Sequence, residues 1–420
     1  MTENEVEVLV SLPSVKEEKF KISPKTEMWM LKKIVCEKFM LEPEYTQLLL
    51  NGKVLDPKAP IGSLNLSGEK IVVDYLWARH LLLWSPAEQA KLRNSTVLVA
   101  GAGAIGSEVA KNLALAGVKR LIIVDYDVIE ASNISRMLFF TLEDEGKPKA
   151  ETLGARIVEK YPFVEVYAYT CALEQLPLEV YLNSDVIVSG LDNIASRIFL
   201  SATAYRLQIP MVDAGTLGHR VRVQTYIPPD SPCPACNFPQ DKYAQLLQLR
   251  NPCDPKLEEN KVPSLITANT LAASIQTQET LKILMGYQEY KNSGKWPQNI
   301  GNPIKGVLIA DLKYNKFSIM QLEKNKKCIV CGEKGIAKPA KRIRIPFGNI
   351  KDTKDLIRIV GKEIEGSVET VELYSPAYAP LKKIMPERSL KEFNIHKGSF
   401  IFAIKNMGNE DYEEIILKLD

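Results

Sequence analysis

The chain has 420 residues, 45% of them hydrophobic and 25% charged, which is apolar content for about two to four packed domains and too much for a disordered chain. With 54 Lys and Arg against 51 Asp and Glu the net charge is +3, so no electrostatic footprint speaks for nucleic acid or an anionic membrane surface. No apolar run approaches the roughly twenty residues of a membrane span, and a cytoplasmic protein is expected.

Residues 1–76 read as a small separate unit. Val6 to Val10 and Glu18 to Ile22 alternate as strands do, Met28 to Phe39 has helical spacing, Asn51-Gly52 marks a hairpin turn, and the stretch from Ile61 to Val73 closes on another strand. This order resembles the β-grasp fold of ubiquitin. The chain runs on through Tyr75-Leu76-Trp77 without a Gly-Gly terminus, so the unit is expected to dock or solubilise rather than to serve as an activated tail.

The next signal is an apolar strand, Val97 to Ala100, that breaks at Gly101, Gly103 and Gly106 and opens a helix. The first glycine permits a tight turn, the second lets backbone approach a phosphate, and the third lets helix and strand pack closely. The helix N-terminal amides then face an anion. The following strand, Arg120 to Val124, ends in Asp125, placed to bind ribose hydroxyls. Taken alone, this pattern does not separate NAD from ATP.

Residues further along favour the triphosphate. Asn133 and Arg136 stand in Asn-Ile-Ser-Arg, Lys149 follows Gly-Lys-Pro, and Asp192 follows the apolar run from Val186 to Leu191. Two cations neutralise charge building on a leaving pyrophosphate, and a carboxylate at a strand's C-terminal end holds Mg²⁺. A nicotinamide ring needs neither. His219, in a short turn and strand from Thr216 to Gln224, reads as structural.

Seven cysteines occur. Cys233-Pro-Ala-Cys236 and Cys328-Ile-Val-Cys331 form two CxxC knuckles, the pattern of a tetrahedral thiolate site for structural zinc. Disulfides are disfavoured by the odd count and by the lack of a secretory pattern. Cys36 and Cys171 lie in apolar stretches and are expected to be buried and inert. Cys253 differs, sitting in the proline-flanked polar loop Arg250-Asn-Pro-Cys-Asp-Pro255, where a thiol is accessible. A helix from Leu271 to Leu284 returns the chain to the sheet.

Together these residues resemble the adenylating domain shared by ubiquitin-activating enzymes and the bacterial MoeB and ThiF adenylyltransferases. The likeness runs in order from Ala78-Arg79-His80 through Gly101 to Gly106, Val124-Asp125, Asn133 to Arg136, Pro148-Lys149 and Leu191-Asp192-Asn193 to the paired cysteines. It implies a Rossmann-like, doubly wound α/β fold with zinc knuckles. It further implies that Asp125 binds ribose, that Asn133, Arg136 and Lys149 surround the phosphates, and that Asp192 is the magnesium-binding catalytic acid. Arg79 would reach the γ-phosphate from a partner subunit, so a homodimer is expected, and Cys253 would capture the acyl group as a thioester.

At the C-terminal end, Arg342 to Phe347 reads as a strand, Thr353 to Ile364 as an amphipathic helix and Val368 to Tyr374 as a strand. Ser389 to Ile404 looks like ubiquitin's penultimate turn and last strand, so a second β-grasp is expected. The organisation is then a ubiquitin-like domain at 1–76, an adenylating domain at 77–337 and a ubiquitin-fold domain at 338–420. The resemblance implies that this last domain recruits a conjugating enzyme. The expected function is ATP-dependent adenylation of the C-terminal glycine of a small ubiquitin-like protein ending in Gly-Gly, with ATP, Mg²⁺ and Zn²⁺. Adenylation of a sulfur carrier for molybdopterin, thiamin or tRNA thiolation, and a non-catalytic scaffold binding β-grasp partners, are the alternatives.

Overall fold

A computed structural model of the chain describes residues 5–12, 17–66, 69–237, 263–364, 371–408 and 411–420. Contacts divide the chain into two units, one made of residues Met1–Ser95, Leu115–Lys119 and Leu284–Asn302, the other of Thr96–Ala114, Arg120–Ile283 and Pro303–Asp420. Among the described residues no helix is long and apolar enough to cross a membrane.

The first unit holds β1 (Val6–Ser11), β2 (Glu18–Ile22), α1 (Met28–Phe39), β3 (Thr46–Leu50), β4 (Lys53–Val54) and β5 (Ile71–Tyr75). The strands form one mixed sheet in the order β2-β1-β5-β3-β4, with β1 and β5 parallel at its centre. Met28, Leu31, Val35 and Phe39 recur every three or four positions on α1 and are buried. Asn51 and Gly52 both take positive φ, +52° and +76°, which is what a two-residue hairpin of matching twist demands.

Helix α2 (Pro86–Arg93) opens on a capping box in which Ser85 accepts from the Glu88 amide and the Glu88 side chain accepts from that of Ser85. At its other end Arg93 is almost wholly buried. Its Nε donates to Glu42 Oε1 at 2.7 Å, its Nη1 to the Gly117 carbonyl at 3.3 Å, and its guanidinium lies 4.8 Å from the Trp77 ring and 5.3 Å from that of Tyr45. Glu42 also accepts from the Tyr75 hydroxyl at 3.1 Å. One arginine thus ties the five-stranded sheet to α2.

The second unit is built on β6 (Thr96–Ala100), α3 (Ala104–Ala116), β7 (Arg120–Val124), α4 (Lys149–Lys160), β8 (Glu165–Tyr169), α5 (Leu178–Leu182), β9 (Val186–Ser189), α6 (Ile194–Leu207) and β10 (Met211–Leu217). These strands are all parallel, in the spatial order β10-β9-β6-β7-β8. Every residue of β6 and β9 is buried, the mark of a parallel sheet covered on both faces. The sheet then continues antiparallel through β11 (Arg220–Tyr226), β12 (Val307–Asp311) and β13 (Lys316–Met320), while α7 (Ile266–Ser293) extends beyond the expected helix at both ends. His219 lies exposed in the β10–β11 hairpin turn. The fold is Rossmann-like α/β, as expected.

A third sheet follows, from β14 (Lys341–Ile345), α8 (Thr353–Glu363), β15 (Val371–Ser375), β16 (Lys382–Lys383), β17 (Phe400–Gly408) and β18 (Asp411–Leu419). Its order is β14-β18-β17-β15-β16, with β14 and β18 parallel and β17 and β18 a hairpin. The sequence reading ended this region on the strand through Ile404. The chain in fact turns back and adds β18, so the connectivity differs from that of the first sheet. Alternate residues of β17 cover its two faces. Ile401 and Ala403 face a core with Leu356 and Val360 of α8, while Phe400 and Phe402 join the core of the parallel sheet.

A second correction concerns Cys171, which is half-buried beyond β8 rather than enclosed like Cys36. Burial raises the pKa of both thiols.

All four tryptophans, Trp29, Trp77, Trp84 and Trp296, belong to the first unit, so tryptophan fluorescence reports on the unfolding of that unit. Arg93→Ala leaves Glu42 without its cation, and the urea midpoint of that transition should fall by an amount worth about 2–3 kcal/mol. An unchanged midpoint would show that Arg93 does not hold the sheet to α2.

Candidate functional site

Strand β6 has β7 on one side and β9 on the other, so the chain order reverses there and the loops after β6 and β9 open a crevice at the strands' C-terminal ends. Backbone meets backbone at its floor. A Cβ on Gly106 would lie 1.8 Å from the Gly101 carbonyl oxygen, and one on Gly190 would lie 3.0 Å from the Gly106 nitrogen. Gly101 itself has φ +95°. The protein's own packing therefore requires glycine at these positions.

Gly103 is different. Its φ is not left-handed, and an added Cβ would meet only Met137 Cε, at 3.9 Å. Nothing in the chain demands glycine there, so the space above it is a cradle a side chain would fill. It lies at the N-terminus of α3, where the first amides of a helix lack intrahelical acceptors. This is the fit expected for a nucleotide phosphate.

Asp125 follows β7 and closes the adjacent side. Its Oδ2 accepts from the Ala102 amide at 2.6 Å and its Oδ1 from the Asp127 amide at 2.8 Å. Burial nevertheless dominates over these bonds and raises its pKa. Lys149 is the first residue of α4, where a cation opposes the helix dipole. The opposing carboxylate is Asp127, 2.8 Å from Lys149 Nζ, and the Lys149 amide donates to the Asp127 carbonyl at 2.9 Å. Lys149 is nearly buried and Asp127 half-exposed, so the pair stands at a wall open on one side.

Asn133 is buried within its own turn, its Oδ1 accepting from the Glu130 amide at 3.1 Å. Arg136 is half-buried and folds back, with Nη1 donating to the Ser132 carbonyl at 2.8 Å. Met137, whose Cε would lie 3.9 Å from a Cβ on Gly103, places this segment beside the glycine loop.

Asp192 is exposed in the loop after β9, with Asn193 capping α6 by accepting from the Ser196 amide at 2.8 Å. Behind the loop lies an ion network that the sequence reading missed. Asp213 of β10 is fully buried, with Arg197 Nη1 at 2.6 and 2.7 Å and Arg222 Nη1 at 2.6 Å. Burial pushes the Asp213 carboxyl up, but the two guanidinium groups outweigh it and hold the pKa below the ordinary value.

A second centre gathers Cys233, Cys236, Cys328 and Cys331, whose sulfurs all lie within 4.8 Å of one another. The Sγ–Sγ distances of 3.5, 3.6 and 3.8 Å exceed the ~2.05 Å of a disulfide and match the ~3.8 Å edge of a zinc–thiolate tetrahedron. Four largely buried thiols are a donor set that fits zinc. The metal would clamp residues 233–236 to 328–331, next to the shared core that receives Phe400 and Phe402.

Of the residues expected to act, Gly101, Gly103, Gly106, Asp125, Asn133, Arg136, Lys149 and Asp192 all lie in the second unit, on the crevice loops and the turns beside them. Arg79 is exposed in the first unit, at the start of the turn His80–Leu82. Cys253 lies outside the described residues. Asp127, Arg197, Asp213 and Arg222 went unread. The available signal was a basic residue in the first turn of a helix, at Lys149 and again at Arg197, which predicts an acid nearby.

The model of the ThiF family matches residues 77–330. The chain is 35% identical over 164 residues to the NEDD8-activating enzyme E1 catalytic subunit of Arabidopsis thaliana, a match covering 35% of this chain and 36% of that protein. It is 29% identical over 255 residues to a sulfur carrier protein adenylyltransferase of Thermus thermophilus, covering 59% of this chain and 86% of that protein. Among solved structures, E. coli MccB with succinimide superposes with a TM-score of 0.50 at 20% identity, covering 62% of this chain and 74% of that one, a likeness of fold.

If the four thiolates hold one zinc, the purified chain should contain about one zinc per molecule by plasma mass spectrometry, and Cys328→Ser should lose most of it. Equal zinc in both proteins, or none in either, would contradict the assignment.

Proposed function

Because the chain belongs to the ThiF family, we propose that it is an ATP-dependent activating enzyme that adenylates the C-terminal glycine of a small ubiquitin-like protein and captures it as a thioester. The observation that carries this reading is the Gly103 cradle beside the Lys149–Asp127 pair, a phosphate seat with a cation at its wall. ATP would lie with its phosphates over Gly103, its ribose on Asp125, and its charge offset by Lys149 and Arg136. Asp192, exposed at the C-terminal end of β9, would hold Mg²⁺, which supplies charge neutralisation on the phosphates when bound.

A carboxylate oxygen of the partner's terminal glycine attacks the α-phosphorus, the bond to the β-phosphate oxygen breaks, and pyrophosphate leaves. The Cys253 thiolate then attacks the acyl carbon and AMP departs, leaving a thioester that keeps the energy for onward transfer. Arg79 serves a second copy of the chain, reaching the γ-phosphate across a homodimer. The sheets of β1–β5 and β14–β18 are read as β-grasp domains bounded at about residues 76 and 337, the second recruiting a conjugating enzyme.

A second reading is adenylation of a sulfur carrier without onward conjugation. It is favoured by the Thermus relative, which this chain matches over 86% of its length, whereas only 36% of the NEDD8-activating relative is matched. The C-terminal sheet, outside the family match at 77–330, favours conjugation.

Pyrophosphate exchange into ATP, driven by Gly-Gly-terminated β-grasp proteins from the same genome, tests the adenylation step. Lys149→Ala and Asp192→Ala should each lower exchange by about 10²-fold or more. Cys253→Ala should leave exchange intact and abolish a dithiothreitol-labile adduct with the partner. An adduct that survives in Cys253→Ala would remove the thioester assignment, and exchange unaffected by Lys149→Ala would remove the phosphate site.

A further inference from the structure

Arg197 sits in the first turn of α6, almost buried, where its charge opposes the helix dipole. Ionic groups inside a protein seldom stabilise it more than well-packed apolar ones of the same size, so their retention calls for a geometric reason. Here the geometry is specific. One arm, Nη1, is held by both oxygens of Asp213, and the other, Nη2, donates to the Leu191 carbonyl and to the Ala214 carbonyl, the latter at 2.9 Å. Arg222 fixes Asp213 from the other side, donating to Oδ2 at 2.6 Å and, through Nη2, to Gln224 at 2.8 Å. Space is reserved as well, since a Cβ on Gly215 would come within 2.8 Å of Arg197 Nη2.

The consequence falls on the peptide that leads into Asp192. Gly190 is tied by its amide to the Ala100 carbonyl at 2.9 Å, Leu191 by its carbonyl to Arg197, and Asn193 by its side chain to the Ser196 amide. Gly190, Leu191 and Asn193 are thus anchored, and Asp192 between them is exposed, its Oδ1 accepting from Asn193 Nδ2 at 3.4 Å. We propose that Arg197 is a positioning residue that, braced by Asp213 and Arg222, sets the carboxylate of Asp192 at the mouth of the crevice. This rests on the reading of the crevice as a magnesium–ATP site, in which Asp192 takes the metal.

The test is calorimetric titration of the full chain with ATP, in excess Mg²⁺ and in EDTA, for the wild type, Asp192→Asn, Arg197→Gln, Arg197→Lys and the Asp192→Asn/Arg197→Gln pair. Arg197→Gln should lose about tenfold in affinity with Mg²⁺ and little in EDTA, because the support of a ligand is lost and not the nucleotide cradle. In the Asp192→Asn background the same substitution should cost almost nothing further, since both changes remove one function. Should Arg197→Gln fail to fold by circular dichroism, Arg197→Lys carries the test. Its ammonium still meets Asp213 but lacks the fork that spans to Leu191 and Ala214, so a smaller loss of the same magnesium-dependent kind is expected. Equal weakening in Mg²⁺ and EDTA, or penalties that add in the pair, would overturn the proposal and leave Arg197 a support of the fold. A wild type that binds no ATP in either condition would instead overturn the nucleotide reading itself.

Discussion

The contact on which the second unit turns is the crossing of three glycine backbones at the switch point of the parallel sheet. Gly101, Gly106 and Gly190 approach so closely that a single methyl group on Gly106 would overlap a carbonyl oxygen. That closeness brings the loop after β6 and the loop after β9 to one mouth, and the turn after β7 reaches the same place through Asp125 and the Ala102 amide. With any larger residue on the floor the loops would part, and the amides of α3, Asp125 and Asp192 would no longer border one crevice. Gly103 marks the other half of the design, a glycine kept where the protein has no contact to require it.

Charge is organised around that crossing by a repeated device. The helices α4 and α6 each carry a basic residue in the turn where the dipole disfavours one, and each is matched by a carboxylate from the strand or turn beside it: Lys149 by Asp127, Arg197 by Asp213. The two pairs differ in burial, and the difference suits different work. Asp127 is half-exposed, so an incoming phosphate can compete for Lys149 without stranding a charge in the interior. Asp213 is closed off with two arginines, so its network holds backbone in place and does not exchange partners. The four cysteines lie where the β17–β18 hairpin shares a core with α6 and the knuckles.

Much of this is legible in the sequence. The glycine spacing, the acid after β7, the helical stripe of α1 and each CxxC knuckle carry their meaning locally, in residues a few positions apart. What stayed hidden depends on long-range placement. The Arg197–Asp213–Arg222 network joins a helix to two strands, and each residue alone reads as an ordinary surface charge. The extra strand β18 was missed because the strand before it already completed a ubiquitin-like pattern, and alternation cannot say that a strand is flanked on both sides. Cys171 was judged by its apolar neighbours, although its position just past the end of β8 leaves it half-covered.

The central claim is that the crevice binds ATP and cleaves it between the α- and β-phosphates. Incubating the chain with ATP labelled at the α-phosphorus and a Gly-Gly-terminated β-grasp protein, then separating the products, tests it directly. The account predicts label in AMP or carried on the partner's C-terminus, with unlabelled pyrophosphate released in step. Label recovered as ADP, with free phosphate as the co-product, would contradict it.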